Sequence, residues 1–171
     1  MEGPGERHPP ALRGLQLSAP TADRAWHRIL MWFVRFRSWL LGGVYTVGAA
    51  AVMVREDDAV LLVKPWYRRG WGLPGGTMER GEQSSDTLRR ELFEETGIVL
   101  SVEDRADAVY VQENRRHIDH IYVLRCSGNP SLRPTKRGEI ADAAWYAIDD
   151  LPPLQREAHE ALSRVVAERW T

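Results

Sequence analysis

The chain of 171 residues carries a single cysteine, Cys126. No disulfide can form within it, and a lone thiol on a β-rich run suits a reducing, cytoplasmic setting. Long basic runs are missing, as is any basic stripe interleaved with aromatics in the body of the chain, and the formal net charge is −1. A nucleic-acid polymer therefore finds little electrostatic footing, and a small phosphorylated substrate is the easier partner to justify. Long apolar runs are scarce too. The first strongly apolar stretch starts near Ala25 and is broken by Arg28, Arg35 and Arg37, which suits neither a cleavable signal nor a spanning helix. The uncharged run over 38–54 contains two adjacent glycines and turns β-rich in its second half, so it does not read as a transmembrane segment either. There is no internal repeat, and the length allows one domain with a full core rather than two.

What is present divides into three parts. Residues 1–22 mix proline, glycine and scattered charges with neither apolar period, which predicts a disordered leader. Residues 23–42 read as an amphipathic helix extension. At 100° per residue Arg24, His27, Arg28, Met31, Arg35 and Ser38 share one narrow arc, and the remainder is apolar apart from Arg37. Such a face packs on the domain or on a second copy in a homodimer, which is its commoner use, or lies against an anionic membrane surface, as a peripheral contact through residues 24–41. Residues 43–171 form the domain. Strands are predicted at 45–55 and 59–64 around a turn at 56–58, then at 99–102, 108–113, 118–126 and 143–148. A glycine-, proline- and aromatic-rich loop covers 66–76, and a final amphipathic helix covers 155–168. The pattern is that of a mixed α/β sandwich.

The charged residues of 76–98 carry the chemistry. Glu91, Glu94 and Glu95 stand at i, i+3 and i+4, so they share one face of a predicted helix whose apolar stripe is Leu88 and Leu92 and whose N-cap is Ser84 or Ser85. The acidic face then points away from the core. Carboxylates stacked that closely repel one another, and a divalent cation is the natural neutraliser. Arg90 lies four residues before Glu94, a spacing that allows an ion pair and an orienting role. Gly75 and Gly76, having no Cβ, can bring backbone atoms close to the cluster. A solvated acidic face is the ordinary alternative for three such glutamates.

The spacing of the whole segment weighs against that alternative. Gly76, Glu82, Arg90, Glu91, Leu92, Glu94, Glu95, Gly97 and Ile98 fill every specified place of the Nudix box, Gly-x5-Glu-x7-Arg-Glu-U-x-Glu-Glu-x-Gly-U with U a bulky aliphatic. The chain thus resembles the Nudix hydrolases, and Trp71-Gly72-Leu73-Pro74-Gly75 is similar to the loop that leads into their box. Thr87 stands where many members have alanine. The resemblance runs over about 45–168 and implies an α/β/α sandwich with a central mixed β-sheet. It implies hydrolysis of a diphosphate bond in a nucleoside diphosphate linked to another moiety, with Mg²⁺ or Mn²⁺ as cofactor. Carried over by position, Glu91, Glu94, Glu95 and the Gly76 carbonyl are metal ligands. Glu91, Glu94 and Arg90 make the catalytic set, with Glu91 or Glu94 activating water, and Glu82 supports them.

Outside the box, Glu139 is the first candidate for a further acid and Glu113 the second; for both, a surface charge is an equal reading. Trp66, Tyr67, Arg68 and Arg69 are candidates for stacking on a base and contacting phosphate, against a plain hairpin end. His117 and Asp119 fall on one face of their strand and His120 on the other, which argues against a shared metal site there. Two alternatives stay open at this level: a nucleotide-sensing module without turnover, and a membrane-associated hydrolase of lipid diphosphates.

Overall fold

The computed structural model describes residues 45–113, 116–135 and 138–169. The expected leader and the helix of 23–42 lie outside the described residues. The described residues form six strands and two helices in order: β1 Thr46–Arg55, β2 Ala59–Pro65, β3 Gly75–Thr77, α1 Ser84–Thr96, β4 Ala108–Gln112, β5 His117–Cys126, β6 Ile140–Ala147 and α2 Arg156–Arg169. The strands form one mixed sheet in the order β4-β5-β1-β2-β6, with β3 also paired to β1. β1 and β5 run parallel over the full register from Thr46↔His117 to Arg55↔Cys126, and the other pairings are antiparallel.

Alternation along the strands feeds two cores. On one face Ala49, Ala51 and Met53 of β1 join Leu61, Tyr122 and the α1 residues Leu88 and Leu92. On the other, Val52 and Val54 join Val60, Leu62, Trp71, Ile121 and the α2 residues Ala161, Leu162 and Val165. The period of two on strands and the i, i+4 stripe on each helix put a helix on both faces, each buried Val, Leu, Ile or Met side chain contributing about 1.5–3 kcal/mol. The expected α/β/α sandwich is therefore the observed one. Among the described residues, no helix is long and apolar enough to cross a membrane.

Two expectations need correction. Residues 99–102 do not form a strand. Val102 packs into the α1-side core at 4% exposure while Val99 is 81% exposed, so the valines are used by a loop with one inward anchor instead of a ladder. Conversely, the loop expected over 66–76 ends in β3, whose glycines pair Gly75↔Ala50 and Gly76↔Ala49. Glycine weakens strand propensity, and here the partner strand overrides it.

Candidate active site

α1 is capped by Gln83, which has extended backbone angles (φ −89°, ψ 160°) and whose N–H donates to the Asp86 carboxylate at 3.4 Å. This replaces the serine cap expected from the sequence. The Ser84 hydroxyl instead meets the Tyr122 hydroxyl at 2.7 Å, and the Ser85 hydroxyl donates to Asp104 at 2.7 Å. Both serines are spent on tying the helix to its surroundings. The helix stops at Gly97, whose left-handed φ of 78° suits glycine, with its N–H donating to the Phe93 carbonyl at 2.9 Å.

The acidic face of α1 points away from the apolar core as expected, but not into open water. Glu91 and Glu95 are buried, at 6% and 8% exposure, and Glu94 is half-buried. β3 lies against Glu91 and Glu95. The Gly75 N–H donates to Glu95 Oε2 at 2.8 Å, and a Cβ on Gly76 would fall on the Glu91 carboxylate. Glycine at 76 is what lets a strand lie directly against that side chain.

Arg90 ties this face together. Its Nε and Nη2 donate to Glu82 Oε1 and Oε2 at 2.8 and 3.0 Å, a fork-on-fork pair, and Nη1 donates to Glu91 Oε1 at 2.6 Å. The bond to Glu94 anticipated from helix spacing is the weakest of the set, at 3.5 Å. Glu82 also accepts from the Glu79 N–H and from the Thr87 hydroxyl, both at 2.8 Å. Its pKa is accordingly pulled down to about 2, first by the Arg90 hydrogen bonds against a smaller opposing effect of burial, then by those from Glu79 and Thr87. The Arg90 guanidinium is pushed up, chiefly by Glu82 and then by Glu91, so it stays charged at any working pH. Thr87, fully buried, is a participant that the sequence did not announce; helical periodicity says nothing about a partner five residues upstream in a loop.

The remaining candidates divide by position. The Trp66 N–H donates to the Glu139 carbonyl at 2.9 Å, where β2 and β6 meet at Pro65↔Ile140. Tyr67 is 40% exposed, and its phenol is pushed up, first by burial and then by the Glu95 and Glu139 carboxylates. The 66–67 loop and Glu139 are thus brought together, and the Tyr67 phenol feels the Glu95 carboxylate. Arg68 turns away to pair with Glu157 of α2 at 3.1 Å, and Arg69 is exposed. Glu113 stands exposed in the β4–β5 turn, with β5 and β1 between its strand and β3. His117 and Asp119 do share a face: Nε2 lies 2.8 Å from the Asp119 carboxylate, while Gln112 donates to its other oxygen at 2.9 Å. His120 instead points its Nδ1 to the Gly48 carbonyl at 3.4 Å.

The donors on the acidic face are all oxygens, the Glu91, Glu94 and Glu95 carboxylates and the neighbouring backbone of β3, a set that suits Mg²⁺ or Mn²⁺ and not a soft metal. Among the described residues, no three His, Cys, Asp or Glu side chains already stand grouped as a metal cage. Glu91 is engaged by Arg90 and Glu95 by the Gly75 amide. The fit is one of donor chemistry and of a glycine cradle against Glu91.

A family model described as NUDIX domain matches residues 44–168. A MutT-like protein of Streptomyces ambofaciens is 30% identical over 116 residues, covering 68% of this chain and 73% of that protein. An 8-oxo-dGDP phosphatase of Homo sapiens is 35% identical over 126 residues; the match covers 67% of this chain but 36% of the human protein. Among solved structures, a MutT NUDIX hydrolase from Burkholderia pseudomallei superimposes with a TM-score of 0.61 at 29% identity, covering 70% of this chain and 97% of that one.

Proposed function

We propose, from the premise that this chain belongs to the NUDIX family of pyrophosphohydrolases, that it hydrolyses a diphosphate bond in a nucleoside diphosphate carrying another moiety. The observation that carries this reading is the acidic face of α1, pressed against the glycines of β3 and organised by Arg90. A solvated charged face would not bury Glu91 and Glu95 to within 8% exposure.

Members of the family use divalent metals, and Glu91, Glu94, Glu95 and the Gly76 carbonyl are the residues that would hold Mg²⁺ or Mn²⁺ here. Bound there, the cation neutralises diphosphate charge and lowers the pKa of water. The chain's own residues supply the rest. Water attacks one phosphorus of the diphosphate, the bridging P–O bond breaks, and the proton of the water passes to a carboxylate oxygen of Glu91 or Glu94. Arg90, pinned by Glu82, keeps the acidic face in place and stays out of the proton transfer, since its guanidinium is held charged. Positioning then accounts for much of the rate.

Glu139 is the acid outside the box that the geometry favours over Glu113, because its carbonyl binds Trp66 and its carboxylate acts on Tyr67 beside Glu95. Trp66 and Tyr67 border the same region and suit contact with the base or sugar end of a substrate; Arg68, bonded to Glu157, suits it less. Oxidised nucleoside di- and triphosphates are the first substrates to try, given the resemblance to an 8-oxo-dGDP phosphatase, followed by nucleotide sugars. A cytoplasmic location suits such substrates and the free Cys126. The test is release of phosphate or a mononucleotide across that panel with Mg²⁺ and with Mn²⁺. Tight nucleotide binding with no product over long incubation would replace the hydrolase with a nucleotide-sensing module.

A further inference from the structure

Glu82 and Glu91 share one guanidinium. Arg90 gives its Nε–Nη2 fork to Glu82 at 2.8 and 3.0 Å and its remaining nitrogen to Glu91 at 2.6 Å, with Glu94 at 3.5 Å. The guanidinium is planar and rigid, so the direction of the fork dictates where Nη1 falls. A cation seated on Glu91 and Glu94 shares those two carboxylates with Nη1, and the two positive charges oppose each other across them. How firmly Glu82 holds the fork therefore governs how strongly Arg90 opposes the cation.

Among the described residues, two groups besides Arg90 donate to Glu82, and both act on Oε2. One is the Glu79 amide in the loop before α1; the other is the Thr87 hydroxyl on α1 itself. Thr87 lies one helical turn before Glu91 and is fully buried. Its hydroxyl has one hydrogen and two acceptors in reach: the Glu82 carboxylate at 2.8 Å and the Gln83 carbonyl at 3.1 Å. The shorter bond goes to the charged acceptor, where it is worth more. Thr87 is thus the tether that registers Glu82 to the same helix that carries Glu91 and Glu94.

We propose that Thr87 is a positioning residue whose hydroxyl fixes Glu82 as a counter-anchor for Arg90, keeps the guanidinium from swinging further onto Glu91 and Glu94, and so sets the affinity of that pair for a divalent cation. The proposal rests on the reading of Glu91 and Glu94 as cation-binding. It differs from a packing role, because packing depends on the methyl group and the volume of Thr87 while the counter-anchor depends on the hydroxyl alone.

The full chain, its Thr87→Val variant and its Thr87→Ser variant separate these. Binding of Mn²⁺ is measured directly from the paramagnetic resonance of the free ion, with thermal unfolding recorded in the absence of cation. Thr87→Val keeps the volume and loses the hydroxyl, and is expected to weaken Mn²⁺ binding about three- to tenfold, the range of one hydrogen bond. Thr87→Ser keeps the hydroxyl and is expected to bind within about twofold of the native chain even though losing a buried methyl lowers its unfolding temperature. Native-like binding by Thr87→Val, or equal loss in both variants, overturns the counter-anchor. A native chain that binds no Mn²⁺ overturns the cation-binding reading itself, and the proposal with it. Thr87→Ala replaces Thr87→Val if the valine variant does not fold.

Discussion

On α2, Arg156 and Glu160 stand one turn apart and meet at 2.7 Å, with the arginine 75% exposed. On α1, Arg90 and Glu94 have the same spacing, yet they are 3.5 Å apart while Arg90 closes to 2.6–3.0 Å on Glu91 and Glu82. Sequence treats the two pairs alike. The difference lies in what else is near. On α2 Arg156 is mostly in water and takes its helical neighbour, and such a pair contributes about 0–1 kcal/mol. α1 lies against β3, and there the half-buried Arg90 meets a loop carboxylate, Glu82, that accepts its whole fork. Helix spacing alone therefore does not decide which carboxylate an arginine takes.

The sharpest way to break this contrast is kinetic. Glu94→Gln removes a negative charge and a proton acceptor with little change of shape, and kcat/KM is expected to fall by about 10²–10⁴-fold. Glu160→Gln, on the other helix, is expected to leave turnover within about twofold. Equal turnover of Glu94→Gln and the native chain would remove Glu94 from the catalytic set.

On their apolar sides the two helices should behave alike. Leu92 is fully buried in one core and Leu162 is 3% exposed in the other, so Leu92→Ala and Leu162→Ala are each expected to cost about 2–5 kcal/mol in denaturant unfolding. A cost confined to one of them would mean that a single helix carries the fold. The likeness of the apolar sides is what makes the charged sides worth comparing.

The smallest effect is the pH response. Glu82 has its pKa lowered from the ordinary carboxylate value to about 2, first by Arg90. A depressed folded-state pKa means that its stabilisation is complete above the ordinary carboxylate range and is lost as pH falls from there through about 2. Glu82→Gln should therefore be less stable than the native chain by about 1–3 kcal/mol at pH 6, with the gap closing between pH 5 and pH 2. Urea midpoints across that range measure it. Glu160→Gln, half in water, is expected to differ by under about 0.5 kcal/mol throughout.

Much of this molecule is legible in its chain alone. The alternation of Ala49, Ala51 and Met53 against Val52 and Val54 predicts two opposite faces, and the Leu88–Leu92 stripe predicts the seating of α1. Spacing and residue type place Glu91, Glu94 and Glu95 on one face because those constraints act within a few residues of chain. Other features resist such reading. Ser84 and Ser85 look like caps, and the partners that claim them, Tyr122 and Asp104, arrive from later segments. Gly75 and Gly76 look like loop, and β1 makes them a strand.

Local sequence thus established which carboxylates can act together, because helical geometry depends on neighbours in the chain. It did not establish how they are held. The fork from Arg90 to Glu82, the hydroxyl of Thr87, the amide of Gly75 and the approach of Trp66 to Glu139 all join residues through space. Each is a competition among donors and acceptors for one partner, and burial and distance settle such competitions once the sheet has brought the segments together.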